Sequence, residues 1–201
     1  MKILAGALID ETMMVRLLKR GETLGPFAGL NELRHHLAEL PFVPKGDWSD
    51  FGRGSPSVRY LMLGAMLAAG DWGGTIPDQT GFCGWNGDGC TADNLRFWQD
   101  YVRNGRISGR GSLFVATLPT IPYCEGAIAL GCRGGTVYFR TGKSTAALFR
   151  LLVCRPPGLC FIGEVTHDSV CMFLLETGGT MPELPEAESL KQLFLLLKNP
   201  S

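Results

Sequence analysis

The sequence predicts an α/β domain with a mixed sheet, arranged in three α-β-α layers. Three observations carry that expectation. Strand-like and helix-like stretches alternate along the chain, and such alternation places helices against the faces of a sheet. Residues 134–148, GGTVYFRTGKSTAAL, read as a short buried strand, a sharp turn and a helix in immediate succession. Residues 161–166 are mostly apolar, the pattern of a strand covered on both faces.

In chain order, residues 2–9 form a buried strand, 11–19 a short helix and 21–29 a loop. Leu30, Leu33, Leu37 and Leu40 are spaced for one helical face, so 30–40 is a helix. His35 and His36 on that helix point about 100° apart and make a surface pair, not a ligand set. Residues 41–56 are rich in Gly, Pro and Asp and form a loop. Ser55 and Pro56 open the next helix as N-cap and first helical residue. That helix is apolar on nearly every side from Tyr60 to Ala69, which predicts burial, and Gly73-Gly74 end it. Residues 80–85 are a strand. The GWNGDG loop that follows lacks the acidic ligands and closing Glu of a calcium loop. Thr91 or Asp93 caps a helix at 94–103, Gly105 stops it, and 106–112 is a flexible basic loop.

A helix at 123–130, strand at 136–139, helix at 144–153 and strands at 159–165 and 169–176 complete the domain, with His167-Asp168 turning between the last two strands. The domain covers residues 1–178. Residues 179–201 are a linker and a C-terminal helix, 186–198, with Leu190, Leu193, Phe194 and Leu197 on one side.

Nineteen basic and nineteen acidic residues cancel. This argues against a nucleic-acid binder and leaves little charge repulsion between copies. No apolar run approaches the ~20 residues that span a bilayer, so no membrane span is expected. The N-terminal MKILAGALIDETMM reads as the first strand and not as a signal peptide. The seven cysteines are odd in number, include no C-x-x-C and sit mostly in apolar segments. They read as small buried hydrophobes in a reducing compartment, which points to the cytoplasm. No metal and no cofactor is expected.

The 134–148 junction carries the candidate chemistry. A strand-turn-helix aims backbone N–H groups and the positive end of a helix dipole at the turn, a place for a nucleophile or an anion. Lys143 is the candidate group, with Arg140, Thr141, Gly142 and Ser144 around it and Glu125 on the preceding helix as a helper. Gly142-Lys143-Ser144 matches the end of a phosphate loop, G-x-x-x-x-G-K-[ST], but the leading glycine position is Val137 and the intervening residues read as strand. The plain reading of the turn is an exposed lysine at a helix start.

The run from Leu113 to Glu176 resembles the N-terminal half of β-ketoacyl synthases, the condensing enzymes of the thiolase superfamily. Pro122, Glu125, Ala127, Ile128, Gly131, Arg133 and Gly134 stand in the order of that family's "P…E.AI..GLRGP" segment. Thr141-Gly142-Lys143-Ser144 falls where the family has T-A-C-S, so Lys143 stands in place of the nucleophilic Cys. Ser55 to Gly70, and Phe97-Trp98 with Asn104-Gly105, resemble the family's earlier helices. The resemblance covers most of residues 50–177. It implies half of a thiolase-like fold, with 136–139 as the edge strand that pairs with its twin across a two-fold axis.

Two parts of the family's machinery are missing from this sequence. The nucleophile is replaced, and there is no H-G-T-G-T-like segment to supply an activating histidine. Condensation by that route needs an activated nucleophile. The resemblance therefore implies a truncated, non-catalytic ketosynthase-like subunit. It would form a homodimer, or a heterodimer with a ketosynthase-like chain, in fatty-acid or polyketide-type biosynthesis, with an acyl carrier protein as a further partner. The alternative is an acyl-thioester-processing acyltransferase that uses Lys143 or Ser144, with Thr141, Gly142, Glu125 and Arg140 binding substrate. A third reading is a nucleotide-binding module built on Gly142-Lys143-Ser144.

Overall fold

The computed structural model describes residues 1–87, 90–107, 109–140, 142 and 144–199, apart from the side chain of Ser112. Seven strands form one mixed sheet: β1 (Lys2–Ile9), β2 (Val15–Leu17), β3 (Thr23–Leu24), β4 (Gly81–Trp85), β5 (Thr136–Phe139), β6 (Gly158–Val165) and β7 (Val170–Thr177). Their order is β3-β2-β1-β7-β6-β4-β5. β4 runs parallel to both β5 and β6. β7 lies between β6 and β1 and is antiparallel to both. Seven helices accompany the sheet among the described residues: α1 (Leu30–Glu39), α2 (Pro56–Trp72), α3 (Thr91–Arg103), α4 (Gly111–Val115), α5 (Ile121–Ala129), α6 (Thr145–Val153) and α7 (Leu190–Lys198).

Strand alternation divides the core in two. On β7, Val170, Met172 and Leu174 join the cluster that holds α1, α2 and α5, while Cys171, Phe173 and Leu175 join the one that holds α6 and α7. β6 splits the same way, with Phe161 and Val165 on the first face and Cys160 and Ile162 on the second. Successive strand residues point to opposite faces, so a strand apolar at every position needs helices on both. The expected C-terminal helix supplies part of the second cover: Leu190, Leu193 and Phe194 of α7 are fully buried beside Leu148, Phe149 and Leu152 of α6.

The long helix α2 is the centre of the first face, with 13 of its 17 residues buried. Ser55 and Gly73 bound it, and Gly73 takes the left-handed conformation (φ 70°) that ends helices. One buried charge fixes it to the sheet. Asp71, 2% exposed, accepts hydrogen bonds from the backbone N–H groups of Gly6 (3.0 Å), Lys19 (2.8 Å) and Arg20 (2.8 Å). β2 pairs with β1 only from Ala7 to Ile9, and the carboxylate takes the Gly6 N–H just beyond that ladder. On the same face Tyr123 of α5 lies across Gly84 and Gly163. A Cβ at Gly84 would come within 2.3 Å of the Tyr123 ring, and the Tyr123 hydroxyl donates to the Gly163 carbonyl (3.0 Å).

Several expectations change. Residues 11–19 contain the short strand β2 and a turn, not a helix, and the 21–29 loop contains β3. These two- and three-residue strands are too short to show a period. Thr136–Phe139, read as buried and central, is the half-buried edge strand of the sheet, the position that the resemblance implied. α3 begins at Thr91 with Cys90 as its N-cap residue, in place of the expected Thr91 or Asp93 cap. α4 (Gly111–Val115) begins within the stretch 106–112 that was expected as loop and runs three residues past it. α7 starts at Leu190, four residues later than expected. Ser189 caps it by accepting from Gln192 N–H (3.0 Å), and Gln192 Oε1 accepts from Glu188 N–H (2.8 Å).

All seven cysteines are free, and five of them are buried. No helix of the described residues is long and apolar enough to cross a membrane.

The Asp71 arrangement gives a direct test. Asp71→Asn keeps the shape but turns part of the acceptor into a donor facing three N–H groups. Chemical denaturation should show a loss of about 3 kcal/mol or more, because buried hydrogen bonds to a charged group are the strong ones. A change under about 1 kcal/mol would mean the clamp is dispensable.

Candidate functional site

The carboxyl ends of β4, β5 and β6 meet the starts of α6 and α7 around one crevice of about 530 Å³. Open α/β sheets place ligand crevices at such strand ends, and the volume is in the small-ligand range. Each wall comes from a different segment. Asn86 and Gly87 follow β4. Arg140 and Gly142 follow β5. Glu164 lies near the end of β6. Glu188, Ser189 and Gln192 open α7.

Local geometry explains why these residues gather. Asn86 and Gly87 adopt left-handed backbone conformations (φ 45° and 53°), and Gly87 is pressed against β6: a Cβ there would lie 2.2 Å from the Val165 carbonyl oxygen. Only glycine fits such a contact at positive φ. Asn86 N–H donates to the Phe139 carbonyl (3.0 Å) and Tyr138 Oη donates to the Asn86 carbonyl, so the turns after β4 and β5 are tied together. Glu164 Oε2 accepts from the first free N–H of α7, at Leu190 (2.7 Å). Thr145, at the start of α6, donates from both N–H (3.0 Å) and Oγ1 (3.2 Å) to the Ala187 carbonyl, which holds the two helix starts side by side.

The expected site residues divide into four groups. Arg140 and Gly142 line the crevice, with Arg140 exposed. Ser144 lies next to it, but its hydroxyl is used in the fold: Oγ caps α6 by accepting from Ala147 N–H (3.4 Å). Thr141 and Lys143 lie outside the described residues.

Glu125 is placed elsewhere. It does not line the crevice, and its charged neighbours are Asp50, Arg53 and Asp47 in the loop after α1. Its Oε2 is buried and makes no hydrogen bond. Burial first, then the charges of Asp50 and Asp47, raise its carboxyl above the ordinary 4.5, with Arg53 working against them.

Glu164, Glu188, Ser189, Gln192 and Asn86 were not foreseen as site residues. The Ser189-x-x-Gln192 spacing is a capping-box signature, but this helix was expected to begin at 186. Nothing in the local sequence placed that start beside the turn after β5.

The crevice presents two carboxylates and one guanidinium among the described residues, with no cysteine or histidine in its lining. A second, narrower cavity of about 40 Å³ lies nearby. Cys90, Asp93, Pro119, Tyr123, Tyr138 and His167 are among its walls. His167 lines this cavity and not the crevice. No group of three or more His, Cys, Asp or Glu side chains among the described residues could hold a metal ion. The sequence matches no family model and no curated protein.

The Glu125 environment yields a pH test. Its folded-state pKa is raised, so the folded chain holds the proton more tightly than the unfolded chain. Stability is therefore lost as pH rises from the ordinary 4.5 through the higher folded value. Glu125→Gln should raise the melting temperature at pH 8 and lose that advantage towards pH 4. An equal shift at both pH values would show that titration of Glu125 plays no part.

Proposed function

We propose that this chain is a ketosynthase-like subunit without condensing activity, which pairs with another chain through β5. One observation carries the reading: Thr136–Phe139, the strand that the resemblance makes the pairing edge, ends the sheet and leads through the turn into a Ser-capped helix at the crevice. An unpaired strand edge is a ready template for a second strand.

The backbone direction determines which groups of β5 face away from β4. Phe82 and Asn86 donate to the carbonyls of Gly135 and Phe139. The carbonyls of residues 135 and 139 therefore face β4, and by alternation Thr136 and Tyr138 turn their N–H and C=O groups outward. A two-fold axis through this edge joins the two seven-stranded sheets into one.

The lack of condensing activity is supported by the composition of the site. The described walls hold no thiol and no imidazole, and the Ser144 hydroxyl serves as a helix cap. Covalent catalysis requires a nucleophile with a base in hydrogen-bond reach. A second reading, acyl transfer through the 141–144 turn, draws on the size of the crevice alone. Intact-mass analysis after incubation with acyl thioesters separates the two. The subunit reading expects no adduct on residues 141–144, and an acyl group mapped to Lys143 would replace it with the transferase reading. The fatty-acid or polyketide setting and a carrier-protein partner follow from the resemblance and belong to the same proposal.

Thr136→Pro tests the edge directly. It removes an outward N–H while leaving the ladder to β4 intact. Sedimentation equilibrium should show the paired species weakened by about tenfold or more, with an unchanged circular dichroism spectrum. Undiminished pairing would contradict β5 as the contact.

A further inference from the structure

Seven of the eleven large apolar residues exposed among the described residues fall between positions 95 and 118, on α3, α4 and their flanks. On α3, Leu95, Trp98 and Val102 follow helical spacing and form one stripe. Ile107 lies beyond the end of α3, Phe114 is on α4, and Leu118 follows α4. Their exposures run from 42% at Val102 to 89% at Ile107. Of the thirteen residues of α3 only Asp93 is buried.

This surface belongs to a built element. Phe97 stacks with Tyr101 (centroids 6.1 Å apart) and meets Phe114 edge-on (5.8 Å), joining α3 to α4. Arg110 is paired with Asp100, its Nε 3.2 Å from Oδ2. At its root, Asp93 accepts from Ser57 Oγ (3.0 Å) and so ties α3 to the start of α2. One side of α3 is thus packed on α4 while the apolar stripe is left bare.

We propose that the α3–α4 arm docks onto a second copy of this chain. Two observations select that occupant. The first is area. At roughly 200 Å² for a fully open large side chain, the bare fractions amount to roughly 750 Å², close to the ~800 Å² that each partner contributes to a standard stable interface. The second is continuity with the edge strand. Cys90 and Asp93 at the start of the arm and Pro119 after it line the same small cavity as Tyr138 of β5. A copy brought in along β5 therefore arrives near the root of the arm. The identity of the partner rests on the β5 pairing proposed above.

The test is sedimentation equilibrium over a wide concentration range on the full chain, the Ile107→Glu variant, the Trp98→Glu/Ile107→Glu double variant and Thr136→Pro. Ile107 is almost fully exposed, so its substitution leaves the fold untouched. The wild type should dimerise. The single variant should weaken the dimer by about tenfold and the double variant by about a hundredfold, as loss of central apolar anchors does.

A double variant that dimerises like wild type overturns the arm interface. If Thr136→Pro alone then dissociates, the edge-strand reading survives that failure. Dissociation by the arm variants with Thr136→Pro intact supports the arm and removes the edge strand. A wild type that stays monomeric overturns the second copy as occupant. In that case co-sedimentation of wild type, but not of the double variant, with anionic phospholipid vesicles would assign the arm to a membrane surface, where Arg96, Arg103 and Arg106 would meet the headgroups.

Discussion

The fold depends on a sheet that is apolar on both faces, held to its central helix by one buried carboxylate. Asp71 sits at the last turn of α2 and gathers three backbone amides from β1 and the residues after β2. An unpaired buried carboxylate is costly, and so are orphaned N–H groups. Each satisfies the other here, and the result sets where α2 crosses the sheet. The remaining contacts of that face follow. Gly64 of α2 abuts Val170 of β7, and Gly126 of α5 abuts Leu61 of α2. α5 then lays Tyr123 over Gly84 and Gly163. Close packing of this kind leaves little room for adjustment, so β4, β5 and β6 end where the crevice needs them.

The second face shows how a chain of this length closes its core. α6 follows the edge strand, and its apolar face would be open if nothing covered it. α7 returns after the 178–189 segment to share that layer, anchored by the Glu164 carboxylate and by the Ala187 carbonyl. Glu164, which anchors this closure, also walls the crevice, so the candidate site and the seal of the second face share a residue. Cys171 records the electrostatics behind that wall: burial, then the nearby charge of Glu164, push its thiol well above the ordinary range.

Much of the fold was legible in the sequence because strong local signals and tertiary context agree there. Ser55-Pro56 and Gly73 bracket α2, the long apolar stretches gave β6 and β7, and the 134–148 run gave β5 and α6. The failures have physical causes. β2 and β3 are defined by pairing with β1 and not by any period of their own. Val137, Tyr138 and Phe139 have the side chains of a central strand, and four residues do not reveal which sheet position they take. In the site, Arg140 and Gly142 were legible because both stand in one local run between β5 and α6. Glu164, Glu188 and Gln192 come from segments far apart in sequence, and Glu125, near the turn in sequence, faces the 47–53 loop instead.

The central claim is that β5 is paired in solution. Hydrogen exchange at the backbone amide of Thr136, followed at low and high protein concentration, tests it most directly. This outward amide should exchange fast when the chain is dilute and become protected as concentration rises, while Val137 and Phe139, facing β4, stay protected throughout. Fast exchange of Thr136 at every concentration, with or without a co-expressed ketosynthase-like chain, would contradict the account.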